Sequence, residues 1–284
     1  MRISPLRAAR RMLFPVLVTL ALLPQAARAD LMLTPTRVVF EQNQRTTQVD
    51  LVNNGAEVAT YRISLVNRRM GENGEMLAAE TPLPGELFAS DLVQFSPRQV
   101  TLQPGTSQIV RVMVRKPAGL APGEYRSHLH FQRMPESKGA TSVESRAAEP
   151  GGIGISITAL VGASIPVIVR HDATNVSVSL SQLELQPPTV AGAQPTLALQ
   201  LDRTGDRSAY GDLAISFAPQ GGSEQVVGRA AGVAVYTPNA LRRAKVSLQP
   251  PKGLALTHGT LRVTYRERPE AGGALLGESS LALP

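Results

Sequence analysis

His128 and His130 stand two residues apart in YRSHLHF, 125 to 131, so a strand would carry both imidazoles on one face and offer two ligands to a metal. Spacing supplies no third ligand, and the pair is read as exposed strand histidines without a metal. GISIT and GASIP each place a serine among small residues, but neither has the G-x-S-x-G order of a nucleophile elbow and neither precedes a helical pattern. Phosphate loops and dinucleotide fingerprints are also missing from the sequence. With four histidines, no cysteine and no paired-acid motif, the chain reads as a non-enzyme that needs no cofactor. The lack of cysteine removes thiol chemistry, zinc–thiolate sites and iron–sulfur clusters.

The most regular pattern is apolar instead. In GGIGISITALVGASIPVIVR, 151 to 170, the odd positions read Ile153, Ile155, Ile157, Ala159, Val161, Ala163, Ile165, Val167 and Val169. The even positions from Gly154 to Pro166 are small or polar apart from Leu160. This is a strict period of two, sustained about three times as long as a typical strand of roughly 5 or 6 residues. One small sheet cannot cover it all, so something else must.

The elements that would hold such a ribbon follow an export signal. Arg2, Arg7, Arg10 and Arg11 precede an apolar run, MLFPVLVTLALL, and Ala27-Arg28-Ala29 fits a small-residue cleavage site before Asp30. The apolar run is too short to span a bilayer, and no later run of apolar residues is long enough either. Removing residues 1–29 takes away five arginines and no acid, which lowers the net charge from +7 to +2. With that near-neutral balance and 4% aromatic residues, nucleic-acid binding has no support. The remaining 255 residues suffice for two domains, each with its own core.

From Asp30 onward, short alternating runs are separated by Gly, Pro, Asn and Asp, the pattern of an all-β sandwich. TRVVF, TQVDLVN and ATYRISLV read as strands, with a turn at Asn54-Gly55. RRMGENGEM reads as a turn-rich connection, and QVTLQP and SQIVRVMV as a hairpin about Pro104-Gly105. YRSHLHFQRM is the next strand, the polar segment 135–152 is a loop, and the long ribbon is the seventh element. After His171-Asp172 a second set begins: VSVSLSQLEL, TLALQLDR, DLAISFAP, GVAVYTP, RAKVSLQP and LRVTYRER. The expected fold class is therefore all-β, with two immunoglobulin-like β-sandwich domains covering 30–171 and 172–284.

TRVVF, Leu102-x-Pro104-Gly105 followed by Arg111, EYRSHLHF, and a long alternating strand ending in Arg170 together resemble the periplasmic pilus-assembly chaperones of the chaperone–usher pathway. The resemblance covers roughly residues 30–170; the second domain matches only in size and strand content. It implies an L-shaped pair of domains in the periplasm that stabilises fimbrial subunits by donor-strand complementation, a mode of strand addition, and passes them to an outer-membrane usher. Under that resemblance the donated strand is 153–170. Its donated side chains are Ile157, Ala159 and Val161, extended by Ile153 and Ile155, and the missing cover of the ribbon is a client subunit.

Each fully buried isoleucine is worth roughly 1.5–3 kcal/mol, so three would supply on the order of 6 kcal/mol before ordering costs. One charge-assisted hydrogen bond at the strand end adds roughly 1.5–3 kcal/mol. Groove filling would then set affinity, and charge would set register.

The family holds the client's terminal carboxylate with an arginine on the first strand and a lysine on the seventh. Arg37 falls on the first position, but Pro166 falls on the second and has no cationic side chain. Arg126 or Arg170 is expected to join Arg37 in that anchor, with Arg170 also a candidate for an inter-domain salt bridge to Glu267. Free molecules could cap their exposed edges against each other as homodimers. The competing reading is an exported binding module of immunoglobulin-like domains that recognises a saccharide or a protein.

Overall fold

A computed structural model describes residues 30–135, 162–172, 175–188, 190 and 192–284. Within them, two β-sandwiches follow one another along the chain. The first contains β1 (Leu31–Thr34), β2 (Val38–Phe40), β3 (Thr46–Asn53), β4 (Ala59–Val66), β5 (Arg68–Met70), β6 (Met76–Ala78), β7 (Val93–Ser96), β8 (Gln99–Leu102), β9 (Ser107–Val114), β10 (Gly123–Arg133) and β11 (Gly162–His171). One sheet has the order β1-β3-β9-β7 and the other β2-β11-β10-β4-β8, while β5 and β6 form a separate hairpin.

Alternation explains the layering. In β3, Val49 and Leu51 are fully buried while Gln48 and Asp50 face solvent, and β9 repeats the pattern with Val110 and Val112 against Ile109 and Arg111. These side chains meet Tyr61, Ile63, Leu129, Phe131, Ile165, Val167 and Val169 from the facing sheet in one core. The expected turn at Asn54-Gly55 is fixed by Asn53, whose buried amide accepts from Gly55 N at 3.0 Å and donates to the Leu102 carbonyl at 3.0 Å.

The second sandwich comprises β12 (Val176–Gln186), β13 (Thr196–Gly205), β14 (Ala209–Pro219), β15 (Gln225–Val235), β16 (Leu241–Ser247), β17 (Gly259–Glu267) and β18 (Leu275–Leu283). Its sheets have the orders β12-β13-β16 and β15-β14-β17-β18, around a core that includes Leu197, Leu201, Ile215, Phe217, Val263 and Tyr265.

Three local expectations need correction. QVTLQP and SQIVRVMV do not form a hairpin: β8 pairs with β4, whereas β9 pairs with β3 and β7, so the Pro104-Gly105 turn carries the chain from one sheet to the other. RRMGENGEM is not merely a connection. It is the β5–β6 hairpin, and its Met70, 3% exposed, packs into the core of the second sandwich. Strand β15 begins earlier than GVAVYTP suggested, because Gly228 and Gly232 interrupt the apolar period, and β18, absent from the sequence reading, was hidden by Gly277 and the run Glu278-Ser279-Ser280.

The boundary between the sandwiches is therefore built from side chains of the first. Ile168 of β11 is fully buried in the second core, Asn239 donates to the Met70 carbonyl at 2.8 Å, and the Arg243 N–H donates to the Glu72 carbonyl at 2.6 Å.

Candidate functional site

Strand β11 has two faces with different jobs. Its odd residues Ile165, Val167 and Val169 fill the first core, so this half of the ribbon is covered by its own domain. Its even residues Pro166, Ile168 and Arg170 face the domain boundary. The donor residues Ile153, Ile155, Ile157, Ala159 and Val161 lie outside the described residues.

Register arranges the boundary face of this sheet in rows. Pro166 pairs with His128, which pairs with Val66, and Arg37 immediately precedes the Val38↔Val167 pair, so Arg37, Pro166, His128 and Val66 are level. In the next row Val39, Ile168 and Arg126 are side by side, and beyond it Arg170 pairs with Glu124. Strand β2 covers the outer edge of β11 only at Val167–Val169. Among the described residues, Gly162–Pro166 have β10 on one side and no strand on the other. The open edge thus stops where Arg37 begins.

Arg37 and Arg126 converge under the second sandwich. Arg37 Nη1 donates to the Tyr236 hydroxyl at 3.0 Å, and its guanidinium lies 4.3 Å from the Tyr210 ring centre and 5.3 Å from that of Tyr236. The Arg126 guanidinium lies 4.2 Å from the Tyr236 ring centre. Such cation–π contacts partly replace lost hydration. Hydrogen bonds do not complete the job: Arg37 Nη2 and Arg126 Nε and Nη1 are buried without a hydrogen-bond partner among the described residues. Arg126 is only 6% exposed, and burial pushes its pKa down; nearby Tyr236 and Glu124 oppose that shift, while Arg37 adds to it.

His128 reports the same field. It is 4% exposed, which corrects the expectation of an exposed strand histidine. Burial, then Arg126, Arg68 and Arg37, push its pKa down to about 3. A neutral imidazole among three arginines is a poor place for a metal cation. Among the described residues no group of three or more His, Cys, Asp or Glu side chains could hold one. His130, next along the same face, is also held below the ordinary histidine range, first by burial and then by Arg68.

Arg170 belongs to a different arrangement. Its Nε donates to Glu124 Oε2 at 3.0 Å, its Nη1 reaches Glu41, and its carbonyl accepts from Lys116 Nζ at 2.6 Å. Glu124, fully buried at its side chain, also accepts from the Ser208 N–H at 3.1 Å and from the Ser208 hydroxyl. The proposed Arg170–Glu267 bridge is not formed. Glu267 accepts from Arg207 at 3.1 Å, because β17 places it beside Arg207, while β10 places Glu124 directly opposite Arg170. Arg170 thus joins the sandwiches through Glu124 and Ser208, and Arg37 and Arg126 are left with donors to spare.

Sequence reasoning missed Tyr210 and Tyr236. Tyr236 was visible as the aromatic in VAVYTP, but nothing in the strand pattern of a second domain announces that its ring covers arginines of the first.

No family model matches this sequence, and no curated protein matches it. Among solved structures, the YadV chaperone is 12% identical, covering 90% of this chain and 100% of its own, with a TM-score of 0.43. CsuC–CsuE, a chaperone–tip adhesion subunit pre-assembly complex from Acinetobacter baumannii, is 13% identical, covering 90% of this chain and 98% of its own, with a TM-score of 0.42. The Salmonella enterica SafA pilin–SafB chaperone complex is 14% identical, covering 91% and 99%, with a TM-score of 0.41. Each of these three structures is a chaperone or contains one.

Proposed function

We propose that this protein is a periplasmic chaperone that receives a strand-deficient fimbrial subunit on the open edge of β11 and holds the subunit's terminal carboxylate with Arg37 and Arg126. One observation carries this reading: among the described residues, the edge Gly162–Pro166 has no strand on its outer side and ends beside two arginines whose buried nitrogens lack partners. A strand edge with free N–H and C=O groups accepts another strand. An added strand has to stop where β2 takes over, and its end then lies beside Arg37. Two guanidiniums repel an N-terminal ammonium and attract a carboxylate, so the client strand runs parallel to β11. Arg126 supplies the second cation that Pro166 lacks. The alternating residues 153–161 then fill the client's groove, and delivery to an outer-membrane usher follows when the next subunit's own strand replaces the donated one.

Co-purification tests this. A short β-rich subunit expressed with the wild-type protein is expected to come down with it, and to be lost when Ile155 and Ile157 are changed to Asp. Capture that survives this double substitution contradicts strand donation.

A further inference from the structure

Tyr236 lies in the second sandwich, directly after β15, and belongs to its core, yet its ring and hydroxyl also meet the anchor arginines of the first. We propose that Tyr236 is a positioning residue of the carboxylate anchor, so that the site which holds a client's chain end is completed by both domains. This inference rests on the anchor reading above.

Three observations support it. First, Arg37, just before β2, and Arg126, on β10, carry like charges on the two sides of β11 and repel each other when no anion is present. The electron-rich face of Tyr236 at 4.2 Å from Arg126, and its hydroxyl at 3.0 Å from Arg37 Nη1, offset that repulsion from the same side chain. Second, among the described residues, engaging Arg37 through Nη1 leaves Arg37 Nη2 without a partner and stacking Arg126 leaves its Nε and Nη1 without one, so donors from two guanidiniums stay available to one carboxylate. Third, the Tyr236 hydroxyl accepts from Arg37 and its own hydrogen has no acceptor among the described residues, so it is a further donor to the same anion.

Tyr236 is itself held firmly. It is 8% exposed, and its neighbour Thr237 donates its N–H to the Ser208 hydroxyl at 3.1 Å, the same serine that binds Glu124. A carboxylate bound by the two arginines is therefore linked, through Tyr236 and Ser208, to the contact between domains. Client capture and domain arrangement become coupled.

The test compares two synthetic peptides of alternating valine and threonine, one ending in a free carboxylate and one in an amide. Each is titrated calorimetrically against the full mature chain, wild type and Tyr236→Phe. Phe keeps the ring and the packing, and thermal unfolding verifies the fold. The wild type is expected to prefer the acid peptide. Tyr236→Phe is expected to bind the acid peptide roughly tenfold more weakly and the amide peptide unchanged. In an Arg37→Gln background Tyr236→Phe should weaken acid-peptide binding by less than in the wild type, because only the hydroxyl's own donation to the carboxylate is then left to lose. A wild type that prefers the acid peptide while Tyr236→Phe binds it equally well, or weakens both peptides alike, overturns the role of Tyr236 alone. A wild type indifferent to the peptide's end overturns the anchor and this inference with it.

Discussion

Replacing His128 by leucine is expected to make the protein more tolerant of acid. In the folded protein the imidazole has a pKa of about 3, lowered by burial and by Arg126, Arg68 and Arg37; in the unfolded chain it titrates near the ordinary value of about 6.5. The folded pKa is the lower one, so between these values the unfolded chain binds a proton that the native protein refuses. The stabilising difference is fully present above about pH 6.5 and is lost as the pH falls toward 3. At pH 5 the gap is about 1.5 pH units below the unfolded value, which corresponds to about 2 kcal/mol. Urea melts at pH 7.5 and pH 5.0 measure it. The wild type should lose about 2 kcal/mol more than His128→Leu over that interval. An equal loss in both proteins would refute the claim that His128 lies neutral in a cationic cleft.

Arg126→Met is expected to separate stability from function. Its guanidinium is buried with two nitrogens that have no partner among the described residues, so the substitution should raise the urea-unfolding free energy by about 1 kcal/mol while weakening subunit capture roughly tenfold in pull-downs. Glu124→Gln should do the reverse. It removes a fully buried carboxylate shared by Arg170 and Ser208, and the melt should show a loss of about 3 kcal/mol.

Much of the fold was legible in the sequence because alternation is a direct consequence of strand geometry. The runs that became β3, β4, β12, β13 and β17 place apolar side chains at every second position over a sheet with one buried face, and β10 keeps that period at Tyr125, Leu129 and Phe131 although both of its faces are buried. Pairing was less legible. The Pro104-Gly105 turn resembles a hairpin turn, but whether the next strand pairs back or crosses to the other sheet depends on what the rest of the chain leaves unpaired. The hairpin holding Met70 was hidden because a single methionine among Arg, Gly and Glu has no period, and it matters only when the second sandwich meets it.

The candidate site divides in the same way. Arg37, Arg126 and Arg170 could be placed along strands by register, yet their roles were set by partners distant in sequence. Glu124 lies opposite Arg170 and pairs with it, whereas Arg126 faces Tyr236 and makes no ion pair among the described residues. Short-range pattern carries strand and face, but not which of three similar cations meets a carboxylate.

The most direct test is the structure of the protein bound to its natural subunit. It should place a client strand parallel to β11 beside Gly162–Pro166, with the terminal carboxylate within hydrogen-bonding distance of both Arg37 and Arg126. A client that runs antiparallel to β11, or whose carboxylate lies away from these two arginines, would contradict it.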